Sequence, residues 1–229
     1  MITIRKIKNL LNSEFIKLCK QYNIDNCKLL ICSKDELIAN RYTTYKYGYL
    51  TPYQMLNNIE YELAEKSNSF MTSEFVQVTF KNKVQISYAI FLLTENIYRL
   101  YYCLQMSGTK YTDEELKEFL LICLRHEIGH IIDFQTSIKK TKDIKKWNEK
   151  RSKLKYKEMK EYFDYRNNLY RTFDEEGPDA DYNLCKLEVT KYFNMTAEAT
   201  ANKLAELDID RMIEITIKFQ AMIQEWNNM

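Results

Sequence analysis

The chain has 229 residues, long enough for one generous domain or a core with an appended subdomain, and 45% of them are hydrophobic. Its net charge of +2 is too near neutral for nucleic-acid binding by the protein as a whole, and no run of roughly 18 apolar residues offers a membrane span. With 4 Gly and 2 Pro it is neither loop-dominated nor low-complexity. The N-terminal Met-Ile-Thr-Ile-Arg-Lys-Ile-Lys lacks the apolar run and small-residue cleavage site of a signal peptide. Six cysteines contain no C-x-x-C pair, and most lie in apolar stretches as small hydrophobes. The expectation is a reduced, cytoplasmic protein.

In residues 3–22, Ile4, Ile7, Leu11, Phe15, Leu18 and Cys19 recur at helical spacing. Cys27–Cys32 reads as a short buried strand. Thr51-Pro52-Tyr53-Gln54 has the form of a capped helix start, predicting a helix to about Lys66. Three β-rich runs follow, at 74–80, 84–93 and 97–105, joined by short polar links that suit an antiparallel meander; the last also admits a helix. The pattern then turns helical. Thr112-Asp113-Glu114-Glu115 is a second capping box, opening a helix predicted to reach about Phe134. Segment 139–161 carries eleven Lys/Arg against four Asp/Glu, a charge of +7 that leaves −5 for the remainder. Residues 175–181 read as a loop, and helices are expected at 183–207 and 209–226 with Asp208 as N-cap. The predicted fold class is α+β, a small antiparallel sheet followed by a mostly helical half. The parts are 1–111 and 112–229, expected to form one continuous unit.

His126-Glu127-Ile128-Gly129-His130 carries the chemistry. Histidines four apart on a helix project from one face about one turn apart and can share one tetrahedral metal ion. Glu127, offset by about 100°, can reach a water on the open side of that ion and accept its proton. Gly129 leaves the helix bare between the ligands, so another backbone or a substrate can approach closely. The chain has only 2 histidines and both are here. A pair of ordinary surface or core histidines is the alternative, but Ile128, Ile131 and Ile132 argue for burial, which is costly for unligated imidazoles beside a carboxylate.

A catalytic Zn2+ takes three protein ligands and keeps one open position. The third must be a carboxylate or a cysteine. Asp133 and Thr136 stand where the metzincin pattern needs Gly and a ligand, which excludes that class. Glu198 is the best candidate, because Ala197, Ala199, Ala201 and Ala205 let two helices pack closely; Glu188, Glu206 and Glu214 compete for the role.

His126-Glu-x-x-His130 followed by Glu198-x-x-Ala201-Asn202 resembles the gluzincin zinc peptidases, most of all the ImmA/IrrE-type group. The spacing departs from that group, with 131–197 longer than in its compact members. His130-Ile-Ile-Asp133 with a basic insert and a later Glu-x-x-Ala is also similar to anthrax-lethal-factor-like proteases. The resemblance covers about 112–207. It implies a zincin-like fold, Glu198 as third ligand and Glu127 as general base. The lethal-factor likeness implies Tyr192 as donor to the developing oxyanion. The likeness to zincins in general implies an edge strand beside the cleft, for which 84–93 or 97–105 is the candidate. Asp133 is expected either to accept a hydrogen bond from a ligand imidazole or to be an ordinary helix-end residue.

The functional expectation is a zinc-dependent endopeptidase acting on a protein or peptide, in a regulatory role by the ImmA/IrrE likeness. The rival readings are a non-catalytic zinc-binding module and a nucleic-acid- or partner-binding protein working through 139–161. That basic run reads first as the solvated face of a helix, with Ile144, Trp147, Leu154 and Met159 on its packed side.

Overall fold

The computed structural model describes residues 2–45, 70–80, 83–106, 111–174 and 180–227. Among them are eight helices and three strands, so the class is α+β and mostly helical. The chain divides into two compact units, Met1–Asp113 and Glu114–Met229. No helix among the described residues is long and apolar enough to cross a membrane. The capped helix expected from Thr51 lies outside the described residues.

In the first unit, α1 (Ile4–Gln21) buries Ile7, Leu11 and Leu18, the stripe its spacing predicts, and Thr3 caps it by accepting the Lys6 N–H at 3.4 Å. Strand β1 (Cys27–Cys32) follows. Helix α2 (Lys34–Tyr45) opens with a reciprocal box, in which the Ser33 N–H reaches Glu36 at 2.8 Å and the Glu36 N–H reaches the Ser33 hydroxyl at 3.1 Å. Strands β2 (Thr72–Phe80) and β3 (Lys83–Leu93) form an antiparallel pair, but β1 joins β3 in parallel, giving the order β1-β3-β2.

The sheet is therefore mixed, which corrects the antiparallel meander. Run 97–105 supplies no strand at all; it lies in helix α3 (Thr94–Met106). Its β-branched and aromatic residues suggest a strand, but Ile97, Leu100 and Leu104 are the buried positions and fit helical spacing, while Tyr98 and Tyr102 face solvent. Nor is 84–93 an edge. Tyr88 to Leu93 are all buried, as a central strand covered on both faces requires, so neither candidate offers a free edge to a peptide.

The second unit is helical: α4 (Asp113–Lys140), α5 (Ile144–Thr172), α6 (Ala180–Phe193), α7 (Thr196–Leu204) and α8 (Ile209–Asn227). Helix α4 runs past the expected end near Phe134 to Lys140, and its Phe119 stacks on Phe219 of α8 at 4.6 Å. Cys185 and Val189 of α6 pack on Ile213 and Ile217 of α8. Asp208 caps α8 as expected, accepting the Arg211 N–H at 3.1 Å.

The helix expected over 183–207 is broken at Asn194 and Met195. The cap of the second piece comes from elsewhere: Glu158 of α5 accepts the Thr196 N–H at 3.2 Å and also the Thr196 hydroxyl. Of the residues expected on the packed side of the basic run, Ile144, Trp147 and Met159 are half-buried, but Leu154 is 44% exposed. Helix α5 is anchored further on, by buried Tyr162 and Leu169.

Candidate metal centre

Helix α4 presents His126 and His130 one turn apart, with ring centroids 4.8 Å apart and nearly perpendicular planes. Helix α7 brings Glu198 to them. Glu198 Oε2 lies 2.9 Å from His126 Nε2 and 3.3 Å from His130 Nε2, and the two Nε2 atoms are 3.2 Å apart. A tetrahedral ion with ligand bonds of about 2.0–2.1 Å sets its donors about 3.3 Å from one another. The three atoms thus form a nearly equilateral triangle of the size such an ion needs. All three side chains are largely shielded, and the cluster could hold a metal ion.

Close approach of the two helices depends on Gly129. A Cβ there would sit 2.0 Å from the Ala201 carbonyl oxygen and 2.9 Å from its Cα. The bare surface expected at Gly129 is filled by the backbone of α7, and Ala201 itself is fully buried. Any larger pair of residues at this crossing would hold the short Glu198 carboxylate away from the imidazoles.

Asn202, one turn after Glu198, had no role assigned from the sequence. Its Oδ1 faces His126 Nδ1 at 2.7 Å and is fully buried. An amide oxygen accepts, so Nδ1 carries a proton, and in the neutral ring the Nε2 lone pair is the one left for a metal. The available signal was periodicity: 198 and 202 are four apart and share a face of α7. Asp133 does not orient a ligand ring. It accepts from Ser137 at 3.2 Å and pairs with Arg151 of α5, whose guanidinium also lies 4.6 Å over the Phe134 ring. Phe134 in turn stacks beside His130, so α5 packs against the helix that carries both histidines.

The electrostatics follow from two carboxylates and two imidazoles crowded into one largely buried cluster. Burial opposes a charged ring at His126. The hydrogen bond to Glu198, the charges of Glu127 and Glu198 and the bond to Asn202 outweigh it, raising the pKa to about 9. Burial also favours a neutral Glu198, but hydrogen bonds from both histidines and their charges hold it well below the usual carboxylate range. Glu127 is buried next to His126. Tyr192, at the end of α6, is pushed well above a phenol's ordinary value, first by burial and then by the charges of Glu198 and Glu127. Tyr162 packs against it edge-on at 5.6 Å.

The three rivals of Glu198 lie elsewhere. Glu206 is exposed beyond the end of α7, and Glu214 pairs with Arg211 at 2.7 Å. Glu188 is buried but belongs to a separate cluster, accepting from Tyr162 and Tyr170 at 2.8 Å each and from Arg166 at 2.9 Å.

No protein-family model, curated protein or solved structure matches the chain. Its class rests on the site alone: an α+β protein with a shielded two-histidine, one-carboxylate cluster able to hold a metal ion.

Proposed function

We propose that the chain is a zincin-like zinc metallopeptidase of gluzincin type, with His126, His130 and Glu198 as ligands and a protein or peptide as substrate. The observation that carries this reading is the donor triangle of 2.9, 3.2 and 3.3 Å with a buried carboxylate, Glu127, immediately beside it. Two imidazoles and one carboxylate are a donor set for zinc that leaves a coordination position open. A purely structural site closes all four positions and has no use for an adjacent base. When bound, zinc supplies Lewis acidity that brings a water's pKa to about 7 and polarises a carbonyl.

The chain's own groups do the rest. Glu127 accepts the proton of the attacking water and delivers it to the departing amine. Tyr192, kept protonated by its surroundings, donates a hydrogen bond to the oxygen on which charge develops. Asn202 holds His126 in the tautomer that presents Nε2.

The test is Glu127→Gln in zinc-loaded protein, assayed against a degenerate peptide library by mass spectrometry. Metal content should match the parent while cleavage falls by about 10²–10⁴-fold. Equal product patterns from parent and variant, or a metal-replete parent that cuts nothing in the library, would reject catalysis and leave a metal-binding module.

A further inference from the structure

Helix α5 carries a charge pattern that the metal centre does not use. Lys146, Lys150, Lys153, Lys157 and Lys160 are spaced 4, 3, 4 and 3 residues apart. At 3.6 residues per turn they fall within an arc of about 80° and form one stripe about 21 Å long. All five are exposed. Among the described residues only Lys157 has a carboxylate at ion-pair distance, Glu161 at 3.7 Å, and both members of that pair lie open to water. Like charges three and four apart destabilise a helix, so the stripe burdens α5 until an anionic partner relieves it.

The stripe borders a groove of about 270 Å³ that reaches the ligand helix. Lys150 belongs to both. Trp147, Leu154 and Lys155 continue the α5 wall, and Ala197 and Thr200, on either side of Glu198, form part of the other. Two acids also line the groove, and both already have partners. Asp133 pairs with Arg151, and Glu158 caps α7. With Asp133 and Arg151 cancelling and Glu158 offsetting one cation, Lys150 and Lys155 leave the groove net positive, beside the apolar surfaces of Trp147 and Leu154.

We propose that this stripe and groove bind an acidic, extended segment of the substrate protein, holding it beside the metal centre. Naming the occupant as substrate rests on the metallopeptidase reading; the binding itself does not. An extended chain rises about 3.3 Å per residue, so six or seven residues span the stripe. Charge complementarity favours an acidic segment, and the apolar surfaces of Trp147 and Leu154 favour one with interspersed apolar side chains. Lysine is a point charge that pairs with carboxylates without a fixed fork, and the one arginine of the groove is committed to Asp133.

The experiment uses the full chain with Glu127→Gln, so that no probe is cut. The probe is a fluorescein-labelled 20-residue peptide of Glu and Asp with interspersed Leu, and the readout is anisotropy across a salt series. Replacing the five stripe lysines with Gln should weaken binding at least tenfold and flatten the salt dependence. Replacing Lys139, Lys140 and Lys142 with Gln should change it less than twofold. Lys150→Gln with Lys157→Gln should move binding the same way in a lighter variant, should the fivefold change disturb folding by circular dichroism. Peptide binding indifferent to the stripe overturns the proposal. So does tighter stripe-dependent binding of a single-stranded oligonucleotide or of phosphatidylserine vesicles, which would make the partner nucleic acid or lipid. Zinc content and library cleavage, measured separately on chains with Glu127 intact, report the fate of the metallopeptidase reading without touching this one.

Discussion

Two buried glutamates of the second unit, Glu188 and Glu198, invite comparison, because both lie within helices at the level of sequence and both are almost inaccessible. Glu188 is surrounded by donors: two phenols and a guanidinium, all at 2.8–2.9 Å. Its charge is balanced by Arg166 and both its oxygens accept hydrogen bonds, so the cluster ties α5 to α6. Glu198 faces two ring nitrogens, one of which has its tautomer set by Asn202 to present a lone pair. Those nitrogens and the carboxylate oxygen all serve as acceptors once the rings are neutral, and three converging acceptors need a cation. The lesson is that burial of a carboxylate says little; the character of its neighbours, donors or acceptors, separates a structural brace from a cluster able to hold a metal ion.

The comparison breaks most readily by removing each carboxylate in turn. Glu198→Ala should abolish stoichiometric zinc binding, measured by elemental analysis after gel filtration, while leaving the helical content largely intact. Glu188→Ala should do the reverse. It strands one buried phenol, an exposed one and a half-exposed guanidinium, costing about 2–3 kcal/mol of unfolding free energy by denaturant titration, with zinc content unchanged. Loss of zinc from the second variant would mean the two clusters are not separable.

Smaller effects sharpen the picture. Gly129→Ala forces a Cβ into the Ala201 carbonyl, so α4 and α7 must part. Overpacking of that kind costs about 1–3 kcal/mol, and zinc affinity should fall with stability, read by competition with a chromophoric chelator. Asn202→Ala should keep the site but loosen His126, lowering zinc affinity by about 10–100-fold; an unchanged affinity would remove Asn202 from the site's support.

The smallest effect is in pH. In the metal-free protein the raised His126 pKa contributes stability that is complete below the unfolded value of 6.5 and fades as pH climbs to about 9. The depressed Glu198 pKa contributes stability that is present above 4.5 and is lost only as pH falls through its low folded value. Zinc displaces the His126 proton, so its stabilising increment should grow between pH 6.5 and 9. Thermal melts with and without zinc across that range should diverge as pH rises; parallel curves would show that His126 and the metal do not compete.

Much of the site was legible because it is helical periodicity applied to reactive residue types. His126 and His130 at a spacing of four, Gly129 between them, and a glutamate amid alanines each state a local geometry. Asn202 was readable on the same ground, one turn after Glu198. The Asn194–Met195 break carried no local signal. Its cap is Glu158, 38 positions upstream, and no window along the chain contains both. The strand expected at 97–105 failed because β-branched and aromatic composition competed with a helical spacing of buried residues, and the spacing prevailed. The parallel pairing of β1 with β3 was invisible for a related reason: strand direction is set by which segments meet, not by the composition of either.

By itself, then, the chain's order of residues determined that His126, His130 and Glu198 lie on helices, the residue types available to a cation, and the excess of positive charge on 139–161. Those are properties of neighbours within a turn or two, where backbone geometry leaves one outcome. Tertiary structure alone decided which of four glutamates meets the histidines, that Asp133 belongs to Arg151, and that the central strand is the one that had looked like an edge. Each of these depends on contacts between residues tens of positions apart, which packing selects and local preference does not encode.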